Sequence, residues 1–437
     1  MLVYFKISNY KSVDKEVVVN FTATALNDHS ESNLYEEDGD QYLKSILLYG
    51  HNASGKSTIL NALVYLRWFI NNSATDKENG EKIKVKPFEF RASSKKKPST
   101  FEICFILNKK KYKYGVEMTE NLIHREWLIE SKAKKEYPLF LRIGQEFDVD
   151  KRRFAEADGL QKRTRKNVLF LSVCTQWNVA KAQVIDEWFQ DFVTIHGLAD
   201  ERYREFTFDL LKSRKYNKVV KRFLQKADLG INDLQVIDFG TSFNDILKRV
   251  PEEAVDNFKK KFSEESEPVV FTIHDQFNDL DEKIGQTSLD LDRTGSEGTK
   301  KYFNLVGLII VALLENRFVI IDEFDARLHT LLTKAILRLF NSAKIKSRAQ
   351  LLVVSHDTAL LDRDLLRRDQ IYFLDKNKVG ATEATSLVEY KPRKETPIDK
   401  NYLEGRYGGI PFIDDLESLL EDDDEINSKR DGEEEER

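Results

Sequence analysis

Eight consecutive residues restrict what this chain can fold into more than any other feature of it. Gly50-His51-Asn52-Ala53-Ser54-Gly55-Lys56-Ser57 fits the pattern G-x-x-x-x-G-K-[ST] in full. A short apolar run, 44–49, leads into it, and an amphipathic stretch over 56–70 follows. The order is therefore strand, glycine-rich turn, helix. Glycines at both ends let consecutive backbone N–H groups converge on one phosphate, and the helix that follows adds the positive end of its dipole. Asn52, Ala53, Ser54, Gly55, Lys56, Ser57 and Thr58 are the expected phosphate contacts. Within that set Lys56 is long enough to reach the outer phosphates, and the Ser57 hydroxyl suits Mg2+.

Two later segments fit the same architecture. Phe318-Val319-Ile320-Ile321 is a continuous apolar run, as a strand buried on both faces of a parallel sheet requires, and it ends in Asp322-Glu323. Carboxylates at the C-terminal end of such a strand stand where α/β sheets bind their ligands. Asp322 is expected to hold Mg2+ through water, and Glu323 to polarise an attacking water. One strand-helix-strand step later, Leu351-Leu352-Val353-Val354 ends in Ser355-His356. His356 is placed to sense the terminal phosphate.

At 437 residues the chain exceeds one ordinary core. Alternating strand and helix patterns lie at both ends, and residues from about 150 to 265 read as mainly helical and heavily charged. Expected boundaries are 1–120 for the first part of an α/β head and 121–285 for an insert, the end of a β lobe and then helices. Residues 286–413 form the second part of the head, and 414–437 an acidic tail without a core-forming pattern. Residues 22–42 read as a loop. Cys104 and Cys174 lie among apolar residues and read as core, which suits a reducing cytoplasm. No apolar run approaches the length of a membrane span, and the N-terminus lacks a signal-peptide core.

The order of these motifs resembles ABC-type ATPases of the branch that holds SMC proteins, RecF-like repair ATPases, OLD-like proteins and RloA-like anti-phage defence ATPases. The resemblance rests on further segments as well. Phe5-Lys6-Ile7-Ser8-Asn9-Tyr10-Lys11-Ser12 is similar to the N-F-[KR]-S turn of SMC and RecF heads, which implies that Lys11 lies near the nucleotide. Thr294-Gly295-Ser296-Glu297-Gly298-Thr299 stands where that family has its signature; it departs from L-S-G-G-Q but keeps a hydroxyl and a bare backbone at a helix start. Asp325-Ala326-Arg327-Leu328-His329 looks like the D-loop, with Arg327 in place of the usual Ser. Gly405-Arg406-Tyr407-Gly408-Gly409-Ile410-Pro411 is similar to the ending of RloA-like proteins and reads as a turn packing on the head.

The resemblance implies an α/β ABC ATPase head of the P-loop NTPase type: a mixed, mostly parallel sheet with an antiparallel β lobe and an inserted helical lobe. It implies ATP and Mg2+ as cofactors and ATP hydrolysis as the activity. It also implies a homodimer or higher homo-oligomer, in which Ser296, Gly298 and Thr299 of one copy meet the ATP held by the other. A role in abortive infection follows, with a separate effector such as a nuclease under its control. The alternatives are a DNA repair or chromosome-maintenance ATPase and, less well matched by the opening turn, a transporter subunit.

Charge is unevenly spread. Residues 82–166 carry 23 Lys and Arg against 12 Asp and Glu, whereas 414–437 carry 13 acids against 3 bases. The basic clusters read either as a path for a phosphate backbone or as solvated hairpin tips, and the acidic tail either covers them or docks on a basic partner. Residues 121–285 hold no run of heptads, which excludes a long coiled coil.

Overall fold

The computed structural model describes residues 1–75, 81–132, 135–227, 230–238, 268–393 and 396–410. The expected acidic tail, 414–437, lies outside them. Strands β1 (Leu2–Ser8) and β2 (Val17–Asn20) form an antiparallel pair, joined through the turn that carries Lys11 and Ser12. A hairpin, β3 (Leu34–Glu37) and β4 (Asp40–Leu43), follows where the sequence reads as loop. Its signal is Asp38-Gly39, both at positive φ (53° and 82°), the backbone a two-residue hairpin turn needs. Then come β5 (Ser45–Tyr49), all five residues buried, the phosphate loop, and the helix Lys56–Asn72.

The antiparallel lobe is a meander: β6 (Ser99–Leu107), β7 (Lys110–Met118), β8 (Ile123–Lys132), β9 (Lys135–Ile143) and β10 (Glu146–Val149). With β1 and β2 it makes a seven-stranded sheet in the order β10-β9-β8-β7-β6-β1-β2. Downstream lie β11 (Val193–His196), β12 (Asp233–Ile237), β13 (Val269–Phe277) and β14 (Lys283–Asp290). They are followed by β15 (Phe318–Asp322), β16 (Gln350–Val354), β17 (Ile371–Lys376) and β18 (Thr382–Ser386). The second sheet has the order β11-β15-β16-β5-β17-β18; every pairing in it is parallel except β17 with β18. This is the expected mixed α/β fold with an antiparallel lobe.

Alternation along these strands splits the core in two. Ile46, Leu48, Phe318, Ile320, Leu352 and Val354 point to one face, where the helix Lys56–Asn72 and the antiparallel lobe cover them. Leu47, Tyr49, Val319, Ile321, Leu351 and Val353 point to the other, under the helices Glu297–Glu315 and Thr330–Asn341. Both faces are dry, so the strand sequences are continuously apolar.

The expected inserted helical lobe is corrected by the described part of 121–285. β11 pairs in parallel with β15 over Val193 to His196, so a strand from the middle of that segment forms the edge of the central sheet. Its short helices are spread over the two cores instead of forming a lobe: Phe170–Gln176 and Ala180–Gln190 pack on Lys56–Asn72, and Arg204–Lys212 and Asn217–Gln225 pack on Glu297–Glu315. The physical cause is visible at Glu126 in β8. It is fully buried, pairs with Arg142 at 3.3 Å, and accepts the N–H groups of Phe170 (2.7 Å) and Leu171 (3.0 Å). A buried carboxylate on the meander thus caps the first of these helices and fixes it to the head. The strands β12, β13 and β14 add a three-stranded antiparallel sheet that the helical reading of this region lacks. Cys104 and Cys174 are buried and unbonded to each other. Among the described residues no helix is long and apolar enough to cross a membrane.

Candidate nucleotide site

Strands β5, β15 and β16 lie side by side, so their C-terminal ends present the phosphate loop, Asp322-Glu323 and His356 together. A cavity of about 520 Å³ is lined by Ser12, Asn52, Ala53, Gly55, Lys56, Ser57, Thr58, Asp322, Glu323, Val354 and His356. Nine of the residues expected from the sequence therefore meet in one place. Ser54 lies in the loop itself and is fully buried, its hydroxyl without a hydrogen-bond partner among the described residues.

The loop has the geometry of an anion cradle. Gly55 precedes the helix at φ 106°, a backbone closed to side chains, and a Cβ there would fall 2.0 Å from Thr382 Oγ1. Among the described residues the N–H groups of Gly55, Lys56 and Ser57 have no protein acceptor. The Lys56 ammonium donates to the loop's own carbonyls, Gly50 O at 2.7 Å and His51 O at 2.8 Å. Burial lowers its pKa to about 8, against the opposing pull of Asp322, Asp325 and Glu323. Free amides, a helix N-terminus and a buried cation together fit a polyphosphate. Ser57 and Asp322 line the same cavity and offer hard oxygen donors, the kind a divalent cation such as Mg2+ takes.

The acidic turn after β15 is held from several sides. Asp322 Oδ1 accepts the Glu323 N–H at 3.1 Å, and Glu323 itself takes a left-handed backbone, φ 51°. Asp325 Oδ1 accepts the His356 N–H at 3.1 Å, and Phe324 N donates to Val354 O at 3.0 Å, so the ends of β15 and β16 are tied together. Burial, reinforced by the Lys56 cation, lowers the His356 pKa; the neutral imidazole can therefore donate one N–H to a phosphate oxygen at neutral pH.

Several parts of this site escape sequence reasoning. Ser12 lines the cavity, not its expected neighbour; its hydroxyl donates to Thr58 Oγ1 (3.0 Å) and lies 2.9 Å from Thr382 Oγ1. Lys11 is exposed, with its ammonium 5.4 Å from the Tyr10 ring, and is not among the lining residues. The alternation of β1 ends at Ser8, and nothing in the following turn fixes which side chain points inward. Thr382 opens β18 and donates to Ser54 O at 2.9 Å, supporting the loop from 328 residues away.

Ser296, Gly298 and Thr299 are not among the cavity's lining residues either. Ser296 caps the helix Glu297–Glu315, its Oγ accepting the Thr299 N–H at 3.1 Å and lying 2.8 Å from Thr299 Oγ1. This helix start packs on the Asp325–His329 segment instead. A Cβ on Gly298 would lie 3.1 Å from Arg327 O, and Arg327 pairs with Glu297 at 3.6 Å. The buried Lys301 ammonium donates to Ala326 O and, at 2.8 Å, to Gly197 O. One lysine thus binds the start of that helix both to the turn after β15 and to the end of β11.

The sequence family described as "AAA domain, putative AbiEii toxin, Type IV TA system" matches residues 45–362. The match begins at the first residue of β5 and takes in every cavity-lining residue except Ser12. No curated protein matches the chain. Similar solved structures include an SMC head domain from Thermotoga maritima, with a TM-score of 0.40 and 13% identity over 88% of this chain and 98% of that one. Another is an Smc head domain with an extended coiled coil from Pyrococcus furiosus, bound to the C-terminal domain of ScpA. It has a TM-score of 0.39 and 13% identity over 93% and 99% of the two chains.

Proposed function

The chain belongs to this AAA-domain family, and on that premise we propose that it is an ATPase whose two copies close head to head around ATP. The observation that carries the proposal is the cavity itself. The phosphate loop, Asp322, Glu323 and His356 line it together, whereas Ser296, Gly298 and Thr299 lie outside it. Half of a site in one chain calls for the other half from a second.

Lys56 and the free amides of Gly55 to Ser57 hold the outer phosphates. Ser57 and Asp322 would hold Mg2+, which would supply charge neutralisation to the phosphates. Glu323 accepts a proton from water as the water oxygen attacks the γ-phosphorus. The bond from that phosphorus to the bridging oxygen breaks, leaving ADP and inorganic phosphate. His356 donates an N–H to the γ-phosphate, and a second copy presents Ser296 and the start of its helix. The test is sedimentation of Glu323→Gln. With ATP and Mg2+ it should move from monomer to dimer, and with ADP it should not; a mass unchanged by ATP contradicts the proposal.

The wider role is that of a sensor or scaffold in abortive infection, which controls a separate effector such as a nuclease in the cytoplasm. The family's own description, a toxin of a toxin–antitoxin system, is consistent with growth arrest as the outcome. Co-purification of an effector in one nucleotide state and its loss in another is the measurement that tests this.

A second reading, direct DNA binding, draws support from a cavity of about 530 Å³ lined in part by Lys95, Lys96, Lys97 and His124. Pairing elsewhere weakens it: Lys110, Lys111, Lys113, Lys151 and Arg153 each form an ion pair with Glu130, Asp40, Glu136, Asp158 and Asp150 respectively. Salt-sensitive binding of DNA by the isolated chain would favour it.

A further inference from the structure

The glycine-rich segment near the C-terminus has no role in the reading above, yet it lies against the phosphate loop. After β18 the chain forms the helix Ile398–Leu403 and a turn in which Gly405, Gly408 and Gly409 all have positive φ (77°, 65° and 70°). Tyr402 and Tyr407 fasten this turn to the central sheet. Both rings stack on Phe373 of β17, at 5.2 and 5.1 Å between centroids, and Tyr402 meets Tyr49 of β5 edge-on at 5.4 Å. The Tyr402 hydroxyl donates to Gly409 O at 2.9 Å.

That fastening brings the turn to the first glycine of the phosphate loop. A Cβ on Gly409 would lie 3.1 Å from Leu374 O and 3.4 Å from Gly50 Cα; a Cβ on Gly50 would lie 2.4 Å from the same carbonyl. Three backbone segments therefore meet with no room for a side chain between them. One carboxylate joins them. Asp375 Oδ2 accepts the Gly409 N–H at 3.0 Å, while its Oδ1 lies 3.3 Å from His51 Nε2 and also accepts the Lys376 N–H at 2.7 Å. His51 is the second residue of the phosphate loop, and its carbonyl is one of the two that hold Lys56.

We propose that Asp375 is a positioning residue for the phosphate loop, and that the turn Gly405 to Gly409 is a structural part of the nucleotide site. The turn orients the Asp375 carboxylate, the carboxylate holds the His51 ring, and the loop backbone at 50–52 is thereby kept in the conformation that receives a polyphosphate. This rests on the reading of the 520 Å³ cavity as a nucleoside triphosphate site. Its consequence is specific: binding of nucleotide, not the chemical step, depends on the C-terminal segment.

The experiment measures the dissociation constant of a fluorescent ATP analogue, with KM and kcat for ATP hydrolysis, on the full chain. Loss of a charge-assisted link in Asp375→Ala should raise the dissociation constant and KM about tenfold and leave kcat within about twofold. Asp375→Asn has one acceptor oxygen, enough for the Gly409 N–H but not also for the side that faces His51 and the Lys376 N–H, and should recover only part of that affinity. Tyr402→Phe keeps the ring packing and removes only the bond to Gly409 O; it should raise KM about threefold, and it reads the same link if Asp375→Ala does not fold. Wild-type affinity in Asp375→Ala, or in Tyr402→Phe where Asp375→Ala does not fold, overturns the inference, as does a fall in kcat at unchanged KM. Lys56→Ala serves as the control. If it still binds the analogue, the nucleotide reading of the cavity fails; if it does not bind while the other variants behave as wild type, only the role of Asp375 fails.

Discussion

Gly197 runs beneath Glu323 so closely that a Cβ at Gly197 would lie 2.0 Å from the Glu323 carbonyl oxygen and 2.9 Å from that of Asp322. Its N–H donates to Asp322 O at 2.8 Å, continuing the β11–β15 ladder by one residue past the strand end. The left-handed backbone of Glu323 is thus held from below by a residue without a side chain. Gly197→Ala should push this turn away from the cavity at a cost of about 1–3 kcal/mol in stability. Turnover is expected to fall at least as far as stability does, with nucleotide binding retained. Denaturant titration beside single-turnover hydrolysis checks both; a fully active, equally stable variant would show that the contact constrains nothing.

Glu323→Gln keeps the size of the side chain and removes its capacity to take a proton. A general base contributes about 10²–10⁴ in rate, so hydrolysis should drop by that range while ATP binding is unchanged. Phosphate release under saturating ATP, measured against analogue binding, reads the two separately. Unchanged turnover would remove Glu323 from the mechanism.

Lys56 gives a pH dependence with two opposite signs. Its pKa in the folded chain is about 8, against 10.5 for the free side chain, because burial disfavours the cation. Nucleotide affinity needs that cation, so it should be full below about pH 8 and decline above it. Stability without nucleotide should move the other way. Between those two values the unfolded chain holds a proton that the folded chain has lost, so through this group stability rises with pH. Dissociation constants and denaturation midpoints across the window test both signs; Lys56→Ala should flatten the stability slope by this group's share and leave the part due to other buried lysines such as Lys301 and Lys44.

The sequence made the cavity legible because its residues sit at the ends of apolar runs. Four of the five residues of β15 and all five of β16 are buried, and the first polar residues after such strands fall at the site. What stayed hidden depends on contacts between distant parts of the chain. β11 is four residues long and lies between helices, so nothing local marks it as an edge strand of the central sheet. β14 is exposed along almost its whole length and shows no alternation of buried and exposed residues. Thr382 and Ser12 support the phosphate loop from opposite ends of the chain, through hydroxyls that composition and periodicity do not distinguish from any others. The hairpin at Asp38-Gly39, by contrast, carried a turn signal that the polar character of 22–42 obscured.

In the proposed dimer each nucleotide cavity is completed by Ser296, Gly298 and Thr299 of a second copy, so two differently defective variants should complement each other. Lys56→Ala removes the phosphate loop's cation, and Ser296→Arg blocks the helix start outside the cavity. Each variant alone should be inactive, the second while still binding ATP. A mixture contains heterodimers in which Lys56 of one chain meets Ser296 of the other, so one of the two composite sites is intact. ATP hydrolysis should reappear on mixing, with a maximum near equal amounts. No recovery at any ratio, or full activity of Ser296→Arg alone, rules out the composite site.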